Sequence, residues 1–194
     1  MDKVILVDGN IVDKTSQTEI NFLKTQAEKS FYLDEYKEDV ALALTEEQID
    51  SGLVYEEVIL EMKKPSTAYL KMKRDIPLKN LKPYIKEAES LKLRYTLVDS
   101  LDLRGNIGLV VVAKEPFNDD KRVIVVEDIA EKFKKVGLYP EYVKYFGEKL
   151  CEKHYNMVEE KLPEYAKRYE KLTFVDKLFG KECPICRVEK EKSR

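Results

Sequence analysis

Seven consecutive residues, Ile107 to Ala113 (Ile-Gly-Leu-Val-Val-Val-Ala), carry no polar side chain. A run this short, rich in β-branched residues and entered from Arg104-Gly105-Asn106, predicts a strand buried on both faces. A half-exposed strand would alternate apolar and polar positions. Gly108 has no side chain, so another backbone or a helix can approach closely there. Such a strand needs cover on both sides, and the rest of the chain must supply it.

The flanking pattern supplies strands and helices in alternation. Val4-Ile5-Leu6-Val7, the turn signal Asp8-Gly9 and Ile11-Val12 predict a small hairpin or arm. Thr15 to Ser30 reads as a helix. Asp39 to Leu44 is the first core strand, and Thr45-x-x-Gln48 directly after it matches a capping box that starts a helix. Val54, Val58, Ile59 and Met62 carry its apolar stripe to Lys64, with Gly52 as an interruption and Pro65 as the stop. Thr67 to Lys73 alternates with period two, a strand. Pro77 opens a helix running through Lys92, with Pro83 near its start. Arg94 to Val98 is the third core strand, Ile107 to Ala113 the fourth, and Arg122 to Val126 a fifth.

This order, β-α-β-α-β-β and one more strand, predicts an α/β (α+β) fold. Its small mixed sheet of four to five strands has helices packed on it, with two right-handed crossovers and then a hairpin. Beyond Glu127 the pattern turns helical: Glu127 to Val136, Glu141 to Asn156, Leu162 to Leu172 and Phe174 to Phe179. The expected organisation is an arm and helix over 1–30, a core domain over 31–126, a helical extension over 127–180 and a Cys-x-x-Cys tail over 181–194. Arg187 to Arg194 is expected to fray.

Hydrophobic residues make up 43% and charged residues 37% of 194, with a net charge of −2. That balance lacks the basic excess of a nucleic-acid-binding domain, although a local basic patch is compatible with it. No stretch reaches the roughly 20 apolar residues of a membrane span, so no membrane partner is expected. Three cysteines and no secretory leader pattern predict a cytoplasmic protein with reduced thiols.

The middle of the chain resembles the YueI-like family of uncharacterised bacterial proteins, over roughly residues 31–113. The resemblance rests on Tyr36-Lys37-Glu38-Asp39-Val40-Ala41-Leu42-Ala43-Leu44-Thr45-Glu46-Glu47-Gln48, on Ala68-Tyr69-Leu70-Lys71-Met72, on Tyr84-Ile85-Lys86-Glu87-Ala88 with Tyr95-Thr96-Leu97-Val98, and on Asn106-Ile107-Gly108-Leu109-Val110. A position the family often fills with Arg is Glu38 or Asp39 here. The resemblance implies a small α+β fold with a four-stranded mixed sheet, of the type shared by chorismate-mutase-like and ribosomal-L30e-like domains. It implies no established activity.

Chemistry concentrates at the only histidine and the three cysteines, which form two tight pairs. Cys151-Glu152-Lys153-His154 is C-x-x-H, and Cys183-Pro184-Ile185-Cys186 is C-x-x-C. Residues three apart share a helix face, so each pair can converge. Together Cys151, His154, Cys183 and Cys186 offer three sulfurs and a nitrogen, a tetrahedral set suited to a structural Zn²⁺. The alternatives are a core Cys151 with a surface His154 and a frayed tail pair, or a redox C-x-x-C. No catalytic constellation stands out. Asp99 and Asp102 flank a turn, with Asp8, Asp119 and Asp120 in other loops, where acids mostly cap and solubilise. Lys71, Lys73, Arg74, Lys79 and Lys82 near Tyr69 and Tyr84 are candidates for RNA contact, or a solvated face. The tail tyrosines (Tyr139, Tyr142, Tyr145, Tyr155, Tyr165 and Tyr169) read as helix-packing residues or a partner surface. The sequence therefore favours a non-enzymatic binding or regulatory module, with RNA or protein as the partner it leaves open. An RNA-binding protein of L30e-like architecture and a small-molecule enzyme with an interface active site are its alternatives.

Overall fold

A computed structural model describes residues 5–7, 10–12, 14–99, 103–119 and 121–192. Residues Met1–Val126 and Glu127–Arg194 form two units, taken here in turn. In the first, β1 (Ile5–Val7) and β2 (Asn10–Val12) pair antiparallel as a hairpin, its Asp8-Gly9 turn lying outside the described residues. Helix α1 (Lys14–Phe31) follows. Then come β3 (Val40–Thr45), α2 (Glu46–Asp50), α3 (Glu56–Met62), β4 (Thr67–Lys73), α4 (Leu78–Ser90), β5 (Arg94–Val98) and β6 (Ile107–Ala113).

The four core strands make one mixed sheet in the order β3-β6-β4-β5. β6 lies antiparallel to both β3 and β4, and β4 lies parallel to β5. Every residue of β6 is buried, as its unbroken apolar run predicts. A Cβ on Gly108 would stand 2.6 Å from Ile76 Cδ1, 2.8 Å from Ile49 Cδ1 and 3.3 Å from the Glu46 backbone. The missing side chain therefore lets α2 press against the central strand. The expected final hairpin does not form. The chain leaves β5 at one edge, passes β4 and inserts β6 between β3 and β4. A strand apolar on both faces belongs in the middle of a sheet, and a hairpin with β5 would have left it at the edge.

Thr45 caps α2 as its sequence predicts: its hydroxyl accepts from the Gln48 amide at 3.2 Å, and Gln48 Oε1 accepts from the Thr45 amide at 2.8 Å. The helix expected to run to Lys64 is split. Gly52, at φ +75°, ends α2, and the Tyr55 amide is drawn away to the Tyr84 hydroxyl of α4 at 3.0 Å. Burial holds the Tyr84 phenol in its neutral form, its pKa raised to about 12. Pro83 sits in the second turn of α4, where it removes a helical N–H, and α4 stops at Ser90.

The fifth strand reduces to one rung. Ala43 and Val125 form a single parallel bridge, with Ala43 donating to Ile124 and Val126 donating to Ala43. The cause is the Arg122 side chain. Its guanidinium donates to the carbonyls of Val40 and Ala41 at 2.6 and 2.7 Å and lies 3.8 Å over the Phe117 ring. Those carbonyls, beside a register shift in β3, are lost to any further strand.

The second unit holds α5 (Ile129–Lys135), a 3-10 turn (Pro140–Tyr145), β7 (Lys149–Leu150), α6 (Glu152–Lys161), α7 (Pro163–Ala166), β8 (Glu170–Lys171), α8 (Phe174–Leu178) and α9 (Pro184–Lys192). The helix expected over Glu141 to Asn156 is broken by Gly147 at φ +88° and by β7, and the one expected over Leu162 to Leu172 gives way to α7 and β8. β7 and β8 pair in parallel. Around them Phe133, Tyr142, Phe146, Tyr165 and Tyr169 pack ring against ring, with centroids 5.5–6.3 Å apart. The end of the chain is not frayed through Lys192. Lys192 pairs with Glu141 at 2.7 Å and sits 5.0 Å over the Tyr139 ring, fixing the last turn of α9.

Candidate metal centre

Both cysteine-bearing pairs occupy the first turns of helices. Cys151 follows β7 and is the N-cap of α6, with His154 in the first turn. Cys183 immediately precedes Pro184, the first residue of α9, and Cys186 lies in that first turn. Helix N-termini present unpaired N–H groups and a positive field, which favour thiolate over thiol. The β7–β8 pairing matters to this meeting. Leu172 donates to Leu150 at 2.8 Å, so the segment leading towards Cys183 runs beside the one ending in Cys151.

The four ligand atoms lie within 4.8 Å of one another. His154 Nδ1 is 3.2 Å from Cys151 Sγ, 3.4 Å from Cys183 Sγ and 3.5 Å from Cys186 Sγ, and the Cys151 and Cys186 sulfurs are 3.7 Å apart. No pair is a disulfide. A tetrahedral ion with bonds of about 2.3 Å to sulfur and 2.05 Å to nitrogen sets its ligands about 3.8 Å (S···S) and about 3.6 Å (S···N) apart. These four spacings fall at or slightly inside those values, and the remaining sulfur pairs lie within 4.8 Å. The cluster can hold a metal ion.

Its surroundings fit that role. His154 is 1% exposed and Cys183 4%. The outer ring nitrogen, His154 Nε2, lies 3.2 Å from Glu189 Oε1 on α9, an approach the present rotamers leave poorly aligned. A carboxylate behind a ligating histidine fixes its ring and tautomer and raises its basicity. Glu189 also receives Lys153 at 2.9 Å, and the Lys153 and His154 contacts hold its carboxyl below the usual range. Burial opposes charge on Cys183. Amide N–H groups of Cys151, Cys186 and Ile185 and the His154 ring outweigh it and bring the thiol down to about 7. Cys186 is pushed up to about 12 by burial, by the Cys151 thiol and by charge on Cys183. One thiolate forms readily and the next resists, the situation a dication resolves. Tyr142 adds a buried hydroxyl with no hydrogen-bond partner. Burial foremost, then charge on Cys183, Glu189, Cys151 and Cys186, raises its pKa, so the hydroxyl stays protonated, on a ring that meets the His154 ring edge-on at 6.2 Å.

Glu189 and Tyr142 escape sequence reading. Glu189 does stand three residues after Cys186, on the same helix face, which is the only signal it offers. The candidate RNA residues are placed differently. Lys71 pairs with Glu35 at 2.6 Å, and Lys73, 5% exposed, pairs with Glu46 and donates to the Gly105 carbonyl. Arg74 pairs with Asp99 at 3.0 Å on the open surface. Lys79 and Lys82 are exposed on α4. Asp99 lines a cavity of about 390 Å³ with Lys29, Asp34 and Lys71, while Asp8, Asp102 and Asp120 lie outside the described residues.

Comparison with known proteins now adds to the geometry. The sequence profile of a family described as "Protein of unknown function (DUF1694)" matches residues 12–123. The chain belongs to the DUF1694 family. The crystal structure of the YueI protein from Bacillus subtilis is similar, at 21% identity and a TM-score of 0.50. The match covers 58% of this chain and 93% of YueI. That likeness speaks for the fold and agrees with the mixed α/β sheet and the YueI-like character of its motifs. No curated protein matches. All four candidate ligands of this DUF1694 member lie beyond the matched residues. Among the described residues, no helix is long and apolar enough to cross a membrane.

Proposed function

We propose that this DUF1694 protein is a non-enzymatic binding module whose second unit is organised by a structural zinc ion held by Cys151, His154, Cys183 and Cys186. The observation that carries this is the set of sulfur and nitrogen spacings, which suit a tetrahedral ion. Three sulfurs and one imidazole favour zinc over harder cations, which prefer oxygen. Four protein ligands close the coordination sphere and leave no position for substrate, so the ion would hold structure. Structural zinc contributes about 10–16 kcal/mol of binding free energy in small modules, enough to decide whether a short segment folds.

The test is elemental analysis of freshly reduced protein purified without a metal-binding tag, beside a Cys183→Ser/Cys186→Ser variant. The expected result is about one zinc per chain, lost in the variant together with thermal stability. Metal-free wild-type protein with an unchanged melting temperature in the variant would sink the reading.

A further inference from the structure

Helix α8 is inside out. Its one buried residue is Asp176. Its apolar residues face solvent: Phe174 is 80% exposed, Val175 57% and Leu178 74%, and Phe179 just after it is 80%. This orientation is built, because the charged side anchors the helix. Asp176 accepts from the Thr173 hydroxyl at 2.7 Å and from the Thr173 amide at 3.0 Å, while Thr173 caps the Asp176 amide. Lys149 reaches the same carboxylate at 3.0 Å and Lys181 at 3.5 Å. A reciprocal cap and two ion pairs thus fix a short turn whose other side presents two phenylalanines, a leucine and a valine.

Exposed Lys171, Lys177 and Lys181 stand in the same segment. Glu170 is paired with Lys149 at 3.6 Å, and Glu182 is the remaining exposed acid. Residues 127–194 contain 16 Lys and Arg against 14 Asp and Glu, a net +2 within a chain of net −2. Within residues 170–182 three lysines stand against three acids, of which Asp176 is buried and Glu170 is paired with Lys149, so Glu182 is the one acid left beside the exposed lysines.

We propose that α8 is a peripheral membrane anchor: Phe174, Val175, Leu178 and Phe179 enter the interface of an anionic lipid bilayer, and Lys171, Lys177 and Lys181 meet its head groups. Short amphipathic elements bind bilayers by burying an apolar face at the head-group boundary with basic residues around it. The size of the patch argues against a protein partner. At roughly 150 Å² or less for each side chain it offers on the order of 500 Å², short of the roughly 800 Å² per partner of a stable protein interface. Its composition argues against nucleic acid, since Val175 and Leu178 have no π-face for a base. That no helix among the described residues is long and apolar enough to span a membrane does not bear on attachment to a surface. The proposal uses none of the four candidate ligands, and the assay below reads α8 only in protein whose second unit is folded.

The test uses the full chain in co-sedimentation with vesicles of phosphatidylcholine alone or mixed with phosphatidylserine. The variants are Phe174→Ser/Phe179→Ser and Lys177→Glu, each first matched to wild type in circular dichroism and melting temperature. Should the double variant unfold, Leu178→Ser takes its place. Wild type is expected to sediment with the phosphatidylserine vesicles and weakly with phosphatidylcholine. The aromatic variant should lose at least tenfold in affinity, and Lys177→Glu severalfold. Equal partitioning of wild type and the folded aromatic variant, or no vesicle binding at all, overturns the proposal. So does a wild-type dimer by light scattering that the aromatic variant makes monomeric, or tighter binding to oligouridine than to vesicles.

Discussion

His154 is held from both sides, by three sulfurs around Nδ1 and by Glu189 behind Nε2. Ligation through Nδ1 would leave the ring proton on Nε2, 3.2 Å from the Glu189 carboxylate. Glu189→Gln keeps the shape but removes the charge. We expect it to bind zinc about 10–100-fold more weakly, in line with other outer-shell changes, without unfolding the metal-saturated protein. Competition with a chromophoric chelator measures this, and an unchanged affinity would assign Glu189 to Lys153 alone. The candidate ligands were legible in the sequence, since C-x-x-H and C-x-x-C spacings are local geometry. Glu189 and Tyr142 were not, because their role depends on what α9 and the 3-10 turn bring alongside.

At the scale of elements, α8 depends on its cap. Asp176 is held well below the usual carboxylate range, first by the Thr173 hydroxyl, then by the Thr173 amide and Lys149. A carboxyl depressed in the folded state stabilises above its unfolded value, near pH 4, and loses that contribution as pH falls towards its folded value. Asp176→Asn should therefore be less stable than wild type at pH 7. The gap should narrow as pH drops below about 4. Urea midpoints across pH check this, and a pH-independent gap would show that packing, not charge, is at stake. Any bound metal would be lost from both proteins in acid, so only the difference between them is read. Local signals performed unevenly across elements. The Thr45 capping box and the buried β6 are as read, because caps and apolar runs act through near neighbours. Residues 122–126 have strand composition, yet Arg122 takes the carbonyls a strand would need. The Glu141–Asn156 helix fails because a glycine in the left-handed region and a two-residue strand interrupt a helical pattern.

At the scale of the whole chain, two units each bury their own apolar residues, β6 and its neighbours in one and a ring-packed aromatic cluster in the other. A zinc ion in the second would tie β7, α6 and α9 together across more than 30 residues of sequence. Chelation of the purified protein should then strip amide-exchange protection from residues 149–192 while β6 keeps its own. Protection unchanged on both sides would argue that the aromatic cluster alone sustains the second unit. By itself the sequence determined the alternation of strands and helices, the central place of Ile107–Ala113 and the identity of four candidate ligands, because periodicity, capping and short spacings are properties of neighbouring residues. Only the tertiary structure decided that β6 inserts between β3 and β4, that the two ligand pairs meet, and that α8 turns its apolar side outward. Those outcomes depend on contacts between residues distant in sequence, where Arg122, Asp176 and Glu189 act on partners that no local pattern names.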